Sequence, residues 1–288
     1  MILGASQSTC QNCRPKKNKK EIVDSRIQST YILGEAIRQC TIPPKVWINA
    51  ASATIYQNSL TAPNDECNGI ISDLKKDNMP YSFLDQLRFR LKKAKAGILY
   101  GRSSAQVGEL DKDFSIKVCK QWENSFFEQR TPFTRKIALR TAITLGQGGV
   151  LIPYFNLLKV GLGGYQGNGK QMVSWIHEED VARSIEWIYN NPEMEGIYNC
   201  AAPTPVTNNE LMQLLRKITG NKFGLNAYSW MLELGAAIIG TETELILKSR
   251  WVVPAKLTQS GFTFNYPTLS EALSAIVNKS ARKQYHLF

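Results

Sequence analysis

The stretch Lys45 to Ser52, KVWINAAS, constrains this 288-residue chain more than any other. It is apolar at successive positions, not alternate ones, so a strand formed from it needs cover on both faces. Such cover arises where helices pack on both sides of a parallel sheet. The flanking sequence predicts those helices. Asn18 to Cys40 places Ile22, Ile27, Ile32, Leu33, Ala36 and Ile37 at near-helical spacing, and Pro43-Pro44 stops it. Asp113 to Gln129 reads as a second helix with an apolar stripe through Ile116, Trp122 and Phe126. Thr134 to Gly146, TRKIALRTAITLG, reads as a second buried strand. Strand, helix, strand in this rhythm is a βαβ unit.

After Gly146 the pattern changes. Residues 146–171 are glycine-rich around a short helix-like centre, and 172–191 give a strand, a turn and a helix. Residues 196–220 repeat strand, proline-rich loop and helix, and Thr207 with Glu210 has the T-x-x-E spacing of a capping box. From Tyr228 onward the chain reads as mostly helical, broken by SRWVVPAKLTQSGFTF. Residues 74–111 break the βα rhythm with a basic stretch and a turn-rich GRSSAQVG, and read as an insertion. The expected division is an incomplete nucleotide-binding domain over 1–150 and a mostly helical, substrate-side lobe over 151–288.

Composition removes several classes. At 43% hydrophobic and 20% charged residues the chain is globular, not disordered. No apolar run approaches the roughly 20 residues of a membrane span, and no signal pattern opens the chain, so a cytoplasmic or organellar-matrix protein is expected. The net charge of +11 concentrates in Pro15 to Lys20 and Arg88 to Lys95. These runs read as solvated helix faces or as a site for nucleotide phosphate. Aromatic residues do not interleave with them as a stacking platform requires, which ranks nucleic acid last. Six scattered cysteines imply reduced thiols, and with two histidines and one Cys10-x-x-Cys13 pair no metal site is expected.

The segments WINAASATIY, DFSIKVCKQWE, TRKIALRTAITLG, GLGGYQGNGKQMVSWIHEEDVA and KSRWVVPAKLTQSGF, in this order, carry a resemblance over nearly the whole chain apart from 74–111. Together they resemble the epimerase-like branch of the extended short-chain dehydrogenase/reductases, which has a helical C-terminal domain of unknown role. The resemblance implies an α/β fold: a doubly wound, Rossmann-like parallel sheet with substrate held between it and a C-terminal lobe. It implies NADP or NAD as cofactor and a small-molecule substrate. Ser52-Ala53-Thr54-Ile55-Tyr56 matches the family's Ser-Ala-Thr-x-Tyr. There Ser52 would hydrogen-bond the substrate oxygen beside the nicotinamide and stabilise charge as hydride moves. The alternative is that Ser52 and Thr54 cap the strand end.

The family's usual proton-transfer pair is Tyr-x-x-x-Lys. With Glu123 at the usual acidic position, Ser115 falls on the tyrosine and Cys119 on the lysine, so neither group is present. Tyr56 is then a substitute hydroxyl or a core or rim tyrosine. His177, in WIHEED, is a proton carrier or a structural hydrogen-bonding residue. Trp175 and Asp180 would shape the substrate side, Asp180 serving equally well as a helix cap.

The glycine-rich strand, turn and helix that opens family members is not in this sequence, and MILG resembles the end of the fourth strand, so the first three strands are expected to be absent. Ile2, Leu3 and Gly4 would then approach the adenine-ribose side. Lys20-Glu21 to Arg26 resembles the family's K-E-x-x-x-S-R, giving Glu21 and Arg26 as cofactor-side contacts or as ordinary solvated charges. Ala50, Arg140, Thr141 and Thr144 would line the nicotinamide end. Without the pyrophosphate grip, weak NAD(P) binding is expected. Either a separate N-terminal piece or a homo-oligomer would complete the molecule. A non-catalytic binding or scaffold module built on the same fold is the competing reading.

Overall fold

The computed structural model describes residues 2–4, 16–72, 114–227 and 249–286. The segment 74–111 read as an insertion, most of the helical stretch expected after Tyr228, and Cys10 and Cys13 lie outside the described residues. The elements of the sheet are β1 (Ile2–Gly4), β2 (Val46–Ser52), β3 (Arg135–Thr141) and β7 (Gly196–Cys200), hydrogen-bonded in the order β1-β2-β3-β7. Every pairing is parallel. The helices α1 (Lys16–Gln39) and α2 (Phe114–Phe127) connect β1 to β2 and β2 to β3.

Each strand's alternation sends successive side chains to opposite faces. Trp47 and Ala138 meet Ile37 of α1 and Phe126 of α2 on one face. Trp47 and Phe126 pack edge to face with ring centroids 4.8 Å apart. Val46, Ile48, Ile137, Leu139, Tyr198 and Cys200 fill the other face. There they meet Ile188 of α4 (Glu178–Asn190) and Leu257 of α6 (Ala255–Gln259). Helices therefore cover both faces, which is the physical reason KVWINAAS carries no polar alternation. Burying each of Trp47, Ile48 and Ile137 contributes about 1.5–3 kcal/mol.

The stretch read as one strand over 134–146 is two. At Ala142 the chain leaves the main sheet: the Ala142 amide still donates to Cys200 O at 2.9 Å, but the Ile143 amide donates to Ser174 O at 3.2 Å. β4 (Ile143–Leu145) then pairs in parallel with β6 (Trp175–His177). β5 (Met172–Val173) pairs antiparallel with β8 (Val206–Thr207). A second core joins α3 (Leu151–Lys159), α5 (Asn208–Thr219) and α7 (Leu269–Lys279) around Leu151, Trp175, Met212, Leu215 and Leu273. Because β7, α4 and α6 all follow residue 150 and pack on the main sheet, the sheet draws on both sides of that position. No described helix is long and apolar enough to cross a membrane.

Candidate functional site

In open α/β sheets ligands bind outside the carboxyl ends of the strands. Register places Ser52, Thr141 and Cys200 side by side at those ends. Ser52 is half-buried and extended, at φ −134° and ψ 135°, and starts a single 3₁₀ turn over Ala53–Ile55. Its hydroxyl accepts from the Thr54 amide at 3.2 Å and donates to Thr54 Oγ1 at 3.0 Å. The capping role open in the sequence is thus made in the structure, and the hydroxyl still stands at the mouth of the sheet.

Tyr56 lies just beyond the turn and is 1% exposed. Its hydroxyl donates to Asn199 Oδ1 at 2.9 Å, and the Arg140 guanidinium sits 4.9 Å from its ring centre. Burial pushes the phenol up, with Arg140 and Asn199 pulling the other way, so the group stays protonated. Arg140 is itself committed: its Nη2 donates to Glu123 Oε1 at 2.7 Å and its Nε to Glu123 Oε2 at 3.2 Å. Thr141 is half-buried and bonds its own strand, donating to Leu139 O at 3.2 Å. Ala50 is half-buried two residues before the strand end.

Helix α2 crosses beside this turn with Ser115, Cys119 and Glu123 one turn apart. The Cys119 thiol lies beside the Ser52 hydroxyl, and burial pushes it up to about 11 against the pull of Ser52, Arg26 and Arg250. It carries no proton traffic near neutral pH. On α1, Arg26 stacks over Trp122 at 5.3 Å while Glu21 is exposed to solvent. Ile2, Leu3 and Gly4 pair with Trp47, Ile48 and Asn49, which puts β1 on the opposite side of β2 from β3.

The structure thus gathers Ser52, Tyr56, Arg26, Arg140 and Thr141 around α2 and places the remaining residues elsewhere. Thr144 is exposed on β4, opposite Ile176. Trp175 belongs to the second core, its indole donating to Thr204 O at 3.0 Å. His177, 4% exposed, caps α4: its Nδ1 accepts from the Glu179 amide at 3.2 Å. Its ring lies 3.9 Å from that of Tyr266. The helix cap is therefore His177 and not Asp180. The fully buried Asp180 carboxylate instead accepts from the amides of Asn265 at 2.9 Å and Tyr266 at 3.0 Å, and from Arg183 at 2.8 Å.

Two groups were not singled out in the sequence. Glu66 caps the free side of β7: its carboxylate accepts from the Asn199 amide at 2.8 Å and the Lys256 amide at 3.3 Å, and burial raises its pKa. Arg250, buried, lies between α5 and α6 in sequence, and its charge is felt at Cys119. Arg250 lies inside the quoted KSRWVVP motif, which was the available signal. Glu66 has none, since its partners are distant in sequence.

The glycine loop at Gly161, Gly164 and Gly167 has Gly-x-x-Gly-x-x-Gly spacing but follows a helix. Its backbone pairs with 225–227, the Gly164 amide donating to Leu225 O at 2.9 Å and the Ala227 amide to Tyr165 O at 3.0 Å. A Cβ at Gly164 would stand 2.7 Å from Gly224 O. The glycine permits a close backbone seam and leaves its amides no phosphate to hold. Among the described residues no group of three or more His, Cys, Asp or Glu side chains could hold a metal ion.

Comparison with known proteins bears on the same arrangement. Residues 229–276 match a family model described as a domain of unknown function, DUF1731. The human epimerase family protein SDR39U1 is 27% identical over 267 residues, covering 90% of this chain and 74% of that protein. The crystal structure of the same human protein (isoform 2), with NADPH, superposes with a TM-score of 0.73 at 24% identity, covering 96% of this chain and 80% of that one. This chain is similar to epimerase family proteins over about 90% of its length and shares their fold. A nucleoside-diphosphate sugar epimerase from Corynebacterium glutamicum shares the fold, with a TM-score of 0.64 at 19% identity over 96% of this chain and 46% of that one. Within this fold Ser52 stands at the carboxyl end of β2, the residue after it opening the turn, and α2 carries Ser115 and Cys119, the two positions at which the sequence resemblance would have set tyrosine and lysine.

Proposed function

We propose that this chain is an epimerase-like protein that receives the nicotinamide end of NADP or NAD at the carboxyl ends of β2 and β3, with a small-molecule substrate oxygen meeting the Ser52 hydroxyl. The observation that carries the reading is the parallel register of Ser52 with Thr141 and of Thr141 with Cys200. The residues present fit one end of the cofactor. Ala50 and Ala51 put only small, half-buried side chains before the strand end, and the Ser52 hydroxyl is at hand. For the pyrophosphate the described residues offer no glycine-rich turn from a strand of the main sheet into a helix, and Arg140 is neutralised by Glu123. When bound, the nicotinamide supplies hydride exchange. This chain's own residues bind and orient.

A second reading, a non-catalytic binding module, is favoured by one specific observation. Ser115 and the raised, buried Cys119 thiol leave no phenolate and no ammonium group for proton transfer. We place either form in the cytoplasm, where Cys40 and Cys67 stay exposed as free thiols, with a homo-oligomer as the working state.

Titration of the full chain with NADPH, followed by nicotinamide fluorescence, tests the first reading. Saturable binding weakened in Ser52→Ala is the expected result, and its absence at millimolar NADPH overturns the cofactor site. Binding without hydride exchange towards any carbonyl or sugar-nucleotide panel member selects the binding module.

A further inference from the structure

With Cys119 aligned to the family's lysine, that residue's positive charge is gone from α2, and a cation is nevertheless held beside the helix, packed on Trp122 three residues from Cys119. That cation is Arg26 of α1. Its guanidinium carbon lies 5.3 Å from the centre of the Trp122 ring, and its Nη1 donates to Ile22 O at 2.9 Å. The Trp122 indole donates to Thr30 Oγ1 at 3.1 Å, and Thr30 Oγ1 in turn donates to the Arg26 carbonyl at 2.8 Å. This chain of bonds fixes Trp122 against α1, and the ring contact with the bond to Ile22 O holds the Arg26 side chain over it. Trp122 follows Cys119 by three residues on α2, so both occupy one helix face, and the charge of Arg26 is felt at the thiol. Arg250 acts on the thiol in the same sense, and Glu123 opposes both.

Among the described residues no carboxylate pairs with Arg26. Burial lowers its pKa, yet a guanidinium keeps its proton, so the half-buried group is a standing positive charge. A stacked, unneutralised guanidinium next to a strand-end hydroxyl favours whatever places negative charge there.

We propose that Arg26 is a positioning residue that takes over the electrostatic work of the absent lysine, acting across Cys119 on the Ser52 hydroxyl so that the crevice selects a ligand oxygen carrying or developing negative charge. This rests on the proposed placement of the nicotinamide end at Ser52. The lysine's function is thereby moved from α2 to α1.

The test uses the full chain in three forms, wild type, Arg26→Gln and Arg26→Lys, with matched melting curves as the folding control. Two readouts are taken. The first is the pH profile of Cys119 alkylation by a small haloacetamide, resolved from the other cysteines by peptide mapping. The second is NADPH affinity. Loss of the charge in Arg26→Gln should move the Cys119 profile to higher pH and weaken NADPH about tenfold, while Arg26→Lys should recover most of both. If Arg26→Gln leaves the Cys119 profile where wild type has it, or if the lysine variant behaves like the glutamine one, the proposal is overturned. Failure of wild type itself to bind NADPH overturns the cofactor placement, and the Cys119 profile then decides Arg26 on its own.

Discussion

Arg140 and Glu123 form an ion pair at 2.7 Å whose side chains are each 7% exposed, joining β3 to α2 directly beneath the Ser52 turn. Burial works against the arginine's charge, and Glu123 and Tyr56 more than offset it, so that its pKa is raised. Removing one partner strands the other. Glu123→Ala is expected to cost about 3–5 kcal/mol, whereas Glu123→Leu with Arg140→Met costs far less or nothing, because a buried pair repays little beyond its own desolvation. Urea denaturation of the single and double variants checks this. A single variant as stable as the double would remove the pair from the list of structural contacts.

Asp180 ties the segment after α6 to α4 through two backbone amides and Arg183. Asp180→Ala removes the acceptor of those donors at a partly buried site, at up to about 1–3 kcal/mol for each amide left unpaired. The expected outcome is new protease cleavage between Thr263 and Pro267 under native conditions, with the sheet body intact. Cleavage elsewhere first would refute the tie.

How far the sequence carried these conclusions depends on the range of each interaction. Helical spacing placed α1 and α2, and the T-x-x-E of Thr207 and Glu210 is a capping box with both bonds made. A second box at Thr268 and Glu271 has the same spacing. These signals are local. The exit of the chain from the sheet at Ala142 was illegible because TRKIALRTAITLG stays apolar through it, and strand period is the same in either sheet. The sequence offered Asp180 as a cap of α4, but the amide of Glu179 meets His177, whose ring nitrogen at the residue before the helix is not among the usual capping oxygens. Arg140 looked available to a ligand because its partner lies 17 residues earlier on a facing helix, a pairing that no spacing rule encodes.

Burial also sorts the cysteines. Cys119 is pushed up to about 11 and Cys200 to about 12, each with burial as the leading cause, while Cys40 and Cys67 are exposed. Thiolate is the reactive form, so brief iodoacetamide treatment near pH 8 should label Cys40 and Cys67 and spare Cys119 and Cys200 by about a hundredfold or more. Peptide mapping reads the result directly. Labelling of Cys119 at the rate of Cys67 would mean that the thiol beside Ser52 is open to solvent and would undo the packed description of this turn.

The last expectation concerns pH and the cap of α4. To accept the Glu179 amide, His177 Nδ1 must keep its lone pair, so folding holds the ring neutral. Burial lowers its pKa below the ordinary 6.5, with Lys279 acting in the same sense and Glu178, Glu179 and Asp180 acting against. The unfolded chain therefore takes up a proton at a higher pH than the folded one. The contribution of His177 to stability is complete above 6.5 and declines as pH falls through that value towards the lowered one, below which this group loses no more. Asparagine caps a helix without titrating. Melting temperatures of wild type and His177→Asn, followed from about pH 7.5 to 5, should converge or cross as acid is added, since only the wild type carries the histidine's proton linkage. His177→Ala should lose about 1 kcal/mol at neutral pH from the missing cap. Parallel curves for wild type and His177→Asn would show that the ring is free to protonate in the folded protein, and the neutral-cap assignment would fall.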